Sequence, residues 1–141
     1  MPNTKSCWPD LGEIDIMEMI DGDGQLHQTF HWSQPWPTKN CTGQNSQQSG
    51  YLPVNDAMHT YHEYCAEWDH SYVQFTVDAA VSNLVNATSK GSVVPNLPVA
   101  TVPYYVLLNT AIGGPWPQPP SASTAFPVFH YIDSVTVQQR V

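Results

Sequence analysis

Nowhere in this chain do apolar residues recur at helical spacing; they alternate over short runs that Pro, Gly, Asn or Asp then cuts off. That pattern predicts a succession of short strands, paired antiparallel in chain order, over 12–20, 25–32, 59–68, 71–77, 102–112 and 129–138. The thirteen prolines lie along the whole length and charged residues make up only 11% against a usual share of about 25%, both of which suit strands and turns better than long helices. Val73, Phe75 and Val77 alternate with Gln74, Thr76 and Asp78, the mark of a strand with one wet face. Tyr104-Tyr105-Val106-Leu107-Leu108 is apolar on both faces and is expected to be a central strand. An all-β fold of two sheet layers follows, and 141 residues are enough for one domain.

Charge excludes some partners. Four Lys and Arg against twelve Asp and Glu give a formal net charge of -8, which leaves no basic footprint for nucleic acid or for an anionic membrane surface. Apolar runs fall far short of the ~18–20 residues that span a bilayer, and no signal segment follows Met1, so the sequence as it stands reads as soluble. Cys7, Cys41 and Cys65 have no CxxC spacing and admit one disulfide plus one unpaired thiol in three pairings. The sequons at Asn40 and Asn86 fit a secreted glycoprotein. The polar segment between Ser33 and Asp56 is expected to be a long loop bordering a cleft, and the proline-stiffened loop 113–120 carries Trp116.

Six of the twelve acidic residues fall between Asp10 and Asp23, around Gly12-Glu13-Ile14-Asp15-Ile16-Met17-Glu18. In a regular strand Glu13 and Asp15 share a face and Ile14 and Ile16 share the other, but Glu18 has the wrong parity. One extra residue at Ile16-Met17, a β-bulge, restores it and brings three carboxylates to one face. The backbones of Glu13 and Glu18 then lie about 13 Å apart, and their side chains reach toward the ~5–5.5 Å separation of a retaining glycosidase rather than the ~6.5–9.5 Å of an inverting one. Crowding of like charges raises at least one pKa, which gives one Glu the part of a general acid while its partner stays ionised. Two plainer readings compete: a solvated acidic edge strand, or a calcium site, for which Asp21-Gly22-Asp23-Gly24 has too little of the required loop.

The run Cys7-Trp8-Pro9-Asp10-Leu11-Gly12-Glu13-Ile14-Asp15-Ile16-Met17-Glu18 resembles the active-site strand of glycoside hydrolase family 16, in the laminarinase-type form with Glu-x-Asp-x-x-Glu. His59-Thr60-Tyr61 leading to Glu67-Trp68-Asp69, then Tyr104 to Trp116, then Phe126-Pro127 to Val135 agree in the family's order. The resemblance implies a β-jelly-roll sandwich of two antiparallel sheets, a partial catalytic domain over 1–141 whose N-terminal strands have no counterpart here. It implies retaining hydrolysis of internal β-linkages in a polysaccharide, β-1,3-glucan of the laminarin type, by a secreted monomer that needs no cofactor for catalysis. By position, Glu13 matches the nucleophile, Glu18 the general acid/base, and Asp15 the carboxylate that tunes the nucleophile. Trp8 and Trp116 match sugar-stacking positions, with core packing or loop burial as the competing readings, and His31 matches a cleft-facing His. Asn109 is expected in or near the cleft, whereas His59, His62, His70 and His130 show no metal-ligand spacing and read as structural. Asp133 matches a position where the family often holds a structural calcium; an exposed or hydrogen-bonded Asp at a sheet margin is the alternative. Asp78-Ala79-Ala80 stands where the family has Asp-Gly, which implies an altered hairpin turn. A non-catalytic glucan-binding module, an inactive fragment and a transglycosylase are the other functional readings.

Overall fold

The structure is a computed structural model that describes residues 1, 8–9, 11–20, 24–33, 44–48, 52–57, 59–86 and 102–139. These fall into two compact units, Met1–Leu107 and Leu108–Val141.

All regular elements lie in the first unit, and among the described residues all are strands: β1 (Glu13–Glu18), β2 (Gln25–Ser33), β3 (Gln44–Gln48), β4 (Leu52–Pro53), β5 (Tyr64–Trp68), β6 (Tyr72–Val77) and β7 (Ala80–Asn86). One sheet runs β1-β2-β3, with β4 also paired to β2; the other runs β5-β6-β7. Every pairing is antiparallel. Leu26, Phe30, Val73, Phe75 and Val85 are almost wholly buried, and Phe30 and Trp32 from one sheet meet Val73, Phe75 and Val85 from the other in a common core. Ile14, Ala66 and Tyr104 pack against that core, so each sheet presents alternate residues to it. Phe30 and Trp32 stack at 5.3 Å between ring centroids. Among the described residues no helix is long and apolar enough to cross a membrane.

The alternation in β6 is as the sequence predicts, with Val73 and Phe75 fully buried. β5 is shorter than expected, starting at Tyr64 rather than at residue 59, and the His59 and Thr60 amides both donate to the Asp56 carbonyl in a turn. Asp78 and Ala79 take left-handed backbone conformations (φ 49° and 65°) at the β6–β7 hairpin, where the altered turn was expected. The Asp78 carboxylate closes that turn by accepting the Glu63 amide at 3.0 Å and pairing with His62 Nδ1 at 2.8 Å. Strand β7 was not anticipated, because its polar and apolar residues do not alternate cleanly. The expected loop 33–56 contains β3 and β4; Gln44-Asn45-Ser46-Gln47-Gln48 has no apolar periodicity, and its backbone pairing with β2 makes it a strand all the same.

Two expected strands are absent. In 102–112 only Tyr104 makes an isolated bridge, and 129–138 contains no strand. Tyr105, Val106, Leu107 and Leu108, read as a central strand, are about half exposed. An extended segment becomes a strand only by continued hydrogen bonding to a neighbour; beyond the Tyr104 bridge, Tyr105 pairs with Met1, its amide donating to the Met1 carbonyl at 2.9 Å, and neither segment pairs with a strand among the described residues. The second unit is held locally by turns: Gln118 Nε2 donates to the Pro115 carbonyl at 2.7 Å, the Ser121 amide donates to the Thr124 hydroxyl, and the Phe129 and Tyr131 rings stack at 5.9 Å.

Candidate active site

Gly12 starts the acidic strand. Its φ of +85° favours glycine, and a Cβ there would lie 2.6 Å from the Tyr104 hydroxyl and 3.0 Å from the Phe30 ring. The Gly12 amide donates to the Pro9 carbonyl at 3.0 Å, and the Tyr104 hydroxyl donates to the Leu11 carbonyl at 2.6 Å. Burial, reinforced by the charge of Glu13, raises the Tyr104 phenol well above its ordinary range, so it stays a donor. The turn that aims β1 is thereby tied to the core.

The β1–β2 register decides where the carboxylates point. Glu13 faces His31, Ile14 faces Phe30 and Asp15 faces Thr29, after which the next partners are Glu18 and His27. Two residues of β1, Ile16 and Met17, therefore oppose the single residue Gln28, which is the bulge that the parity of Glu18 required. Glu13, Asp15 and Glu18 come to one face of the sheet with His27, Thr29 and His31. Phe30 and Trp32 take the other, core-side face.

On the acidic face, His31 Nε2 lies 3.1 Å from an Asp15 carboxylate oxygen. Among the described residues His31 Nδ1 has no hydrogen-bond partner, so Asp15 sets the polar orientation of the ring. Trp8 Nε1 donates to the Glu13 carboxylate, and the Trp8 and His31 rings lie 5.4 Å apart, tilted by 53°. Trp8 is 48% exposed, which rules out its reading as core packing.

Three titratable groups of this cluster, Glu13, Glu18 and His31, are displaced. Glu18 is pushed up to about 7 by burial first, then by the charges of Asp15 and Glu13, with His31 opposing. Glu13 is raised by burial and by Asp15, but the Trp8 hydrogen bond and the His31 charge favour its ionised form. Burial works against charge on His31, yet the hydrogen bond and charge of Asp15 outweigh it and the net shift is upward. Glu18 is thus arranged to hold a proton near neutral pH, and Glu13 has a donor waiting for its anion. A proton donor and a nucleophilic carboxylate on one strand are the parts that glycosidic bond cleavage needs.

The remaining expected residues lie in the second unit. Asn109 and Trp116 are exposed there. Asp133 is exposed too, with Val135 and Val137 at 53% and 75% exposure, so it is no carboxylate of a core strand. Calcium takes 6–8 oxygen ligands, and among the described residues there is no group of three or more His, Cys, Asp or Glu able to hold a metal. Cys65 is a free thiol raised by burial, while Cys7 and Cys41, like Asn40, lie outside the described residues. Sequence reasoning missed Gln28. Its signal was a polar residue at a position where Leu26, Phe30 and Trp32 make the alternation apolar.

Comparison with known proteins points the same way. The chain is 32% identical over 133 residues to the clotting factor G alpha subunit of Tachypleus tridentatus, covering 94% of this chain and 18% of that protein. It is 28% identical over 142 residues to a beta-glucanase of Rhodothermus marinus, covering 95% and 46%. Its structure resembles the laminarinase catalytic domain of Thermotoga maritima MSB8 with a TM-score of 0.66 and 29% identity, over 84% of this chain and 46% of that one. The chain thus spans less than half the length of these relatives, and the expected β-jelly-roll class stands. The family model for glycosyl hydrolases family 16 matches residues 1–125, so the bulged acidic strand is that of a family member: this chain belongs to glycosyl hydrolases family 16.

Proposed function

We propose that this protein hydrolyses internal β-glycosidic bonds of a polysaccharide with retention of configuration, and that its substrate is a β-1,3-glucan of the laminarin type. The observation that carries the reading is the β1–β2 register, in which one extra residue turns Glu18 to the face of Glu13 and Asp15. The likeness to a laminarinase and a beta-glucanase supports the choice of substrate.

In the first step Glu18, protonated up to about pH 7, gives its proton to the leaving glycosidic oxygen while the Glu13 carboxylate attacks the anomeric carbon. The C–O bond to the leaving sugar breaks as the bond to Glu13 forms. In the second step Glu18, now ionised, takes a proton from water, whose oxygen displaces Glu13. The indole N–H of Trp8 steadies Glu13 whenever it is an anion, and Asp15 holds His31 beside the same face. Trp8, half exposed next to Glu13, offers a ring face to the apolar CH face of a pyranose. Carboxylates and water suffice for this chemistry, so no cofactor enters it.

Incubation with laminarin should release oligosaccharides, and Glu13→Gln should abolish the release while leaving the fold intact. Unchanged turnover in Glu13→Gln would remove Glu13 from the role of nucleophile. Tight glucan binding by the unaltered protein with no products would make it a binding module instead.

A further inference from the structure

A bulge takes one residue out of the regular ladder and leaves backbone groups that the partner strand no longer satisfies. Here the strand opposite contributes a single residue, Gln28, to the gap between the Thr29–Asp15 and His27–Glu18 pairs. Gln28 is fully buried, on the side of β2 away from the carboxylates. Its Nε2 donates to the carbonyl of Ile16, one of the two bulge residues, at 3.1 Å. Its Oε1 accepts the Ser82 hydroxyl from β7 of the opposite sheet at 2.6 Å, and its backbone carbonyl accepts Asn83 Nδ2 at 3.2 Å.

The amide has one orientation that serves both neighbours. The carbonyl of Ile16 has no proton to give, so it needs the NH2 end, and the Ser82 hydroxyl then donates to the oxygen end. A buried amide among apolar neighbours is costly unless paired, and here its pairing runs from the bulge of one sheet to a strand of the other.

We propose that Gln28 is the positioning residue of the acidic strand: by holding the Ile16 carbonyl it fixes the one-residue offset that keeps Glu18 on the face of Glu13. The inference deepens the hydrolytic reading and rests on it for its kinetic consequences only. The charged and titratable groups around Glu18 are Asp15 and Glu13 on its own strand and His31 and His27 on β2. When the offset loosens, Glu18 leaves the burial and like charges that raise its titration.

The test compares the unaltered protein with Gln28→Met, which keeps the side-chain length without the amide, and Ser82→Ala, which removes only the hydroxyl that orients it. Two readouts are used: laminarin kinetics and the titration of the Glu18 carboxyl carbon by 13C NMR. Gln28→Met should lower kcat about 10- to 100-fold with KM within twofold, since a misplacement on the order of 1 Å costs that much. The Glu18 titration should move down from about 7, and Ser82→Ala should show a smaller shift in the same direction. An amide that merely joins the sheets would lower thermal stability in both variants but leave kcat and the Glu18 titration unchanged, and that result would overturn the proposal. Should Gln28→Met not fold, Ser82→Ala decides the matter by the same readouts. Should the unaltered protein not hydrolyse laminarin, the hydrolytic reading fails, and the NMR titration still tests the hold of Gln28 on Glu18.

Discussion

Glu18 is under three pressures: burial withholds water from its charge, and Asp15 and Glu13 add like charge beside it. As an acid that must be protonated to work, it should make kcat/KM fall as pH rises through about 7. Asp15→Asn removes one of the like charges, so the alkaline limb of the pH profile should move to lower pH; an unmoved limb would mean that Asp15 does not tune Glu18. The same shift has a stability consequence. Because folding raises the Glu18 pKa above its ordinary 4.5, the folded state binds more protons between 4.5 and about 7, and stability is lost as pH rises through that window. His31, also raised, acts in the same direction, since its stabilising charge is lost as pH rises above its ordinary 6.5. Glu18→Gln should therefore lose about 10²- to 10⁴-fold in activity yet melt at a higher temperature than the unaltered protein at pH 8, which scanning calorimetry would show. These residues were legible in the sequence, because the parity of Glu13, Asp15 and Glu18 leaves few ways to gather them. Gln28 was not, since its value appears only once the partner of the bulge is known.

At the scale of the strand, the offset rather than the residue types decides which face the acids occupy. Deleting Met17 leaves Glu-Ile-Asp-Ile-Glu, whose strict alternation keeps all three carboxylates on one face without a bulge. That variant should retain activity within about 100-fold, the cost of a displacement on the order of an ångström. Inserting one Ala after Ile16 adds a residue that a single-residue bulge does not absorb, and it turns Glu18 toward the core. The insertion should abolish laminarin hydrolysis, and activity equal to that of the unaltered protein would show that the register is not what aims Glu18. The strands with alternating apolar residues, such as β2 and β6, were readable from the sequence for the same reason: one face had to be buried. β3 was not, because Gln44–Gln48 is a strand by backbone pairing alone. The apolar segments 102–112 and 129–138 misled in the other direction, since apolar character alone makes no strand and neither segment pairs with a strand among the described residues.

At the scale of the molecule, the first unit is held by aromatic and aliphatic residues that reach between its sheets. Phe75 is fully buried at the centre of β6, and Phe75→Ala should cost about 3–5 kcal/mol, measured by urea unfolding. The acidic face depends on that core at one remove, because Gly12 and Tyr104 fix the turn into β1 against Phe30. Fold class was legible from the short alternating runs, whereas the division into two units was not, since it depends on which segments find partners. The pairing of Glu13 as nucleophile with Glu18 as acid/base on one bulged strand underlies the whole hydrolytic reading. Its most direct test is to react the protein with a 2-deoxy-2-fluoro β-glucan oligosaccharide carrying a good leaving group and to map the adduct by mass spectrometry of its peptides. A stable glycosyl ester should form on Glu13; an adduct on another residue, or rapid release of the inverted sugar with no adduct, would take the role of nucleophile from Glu13.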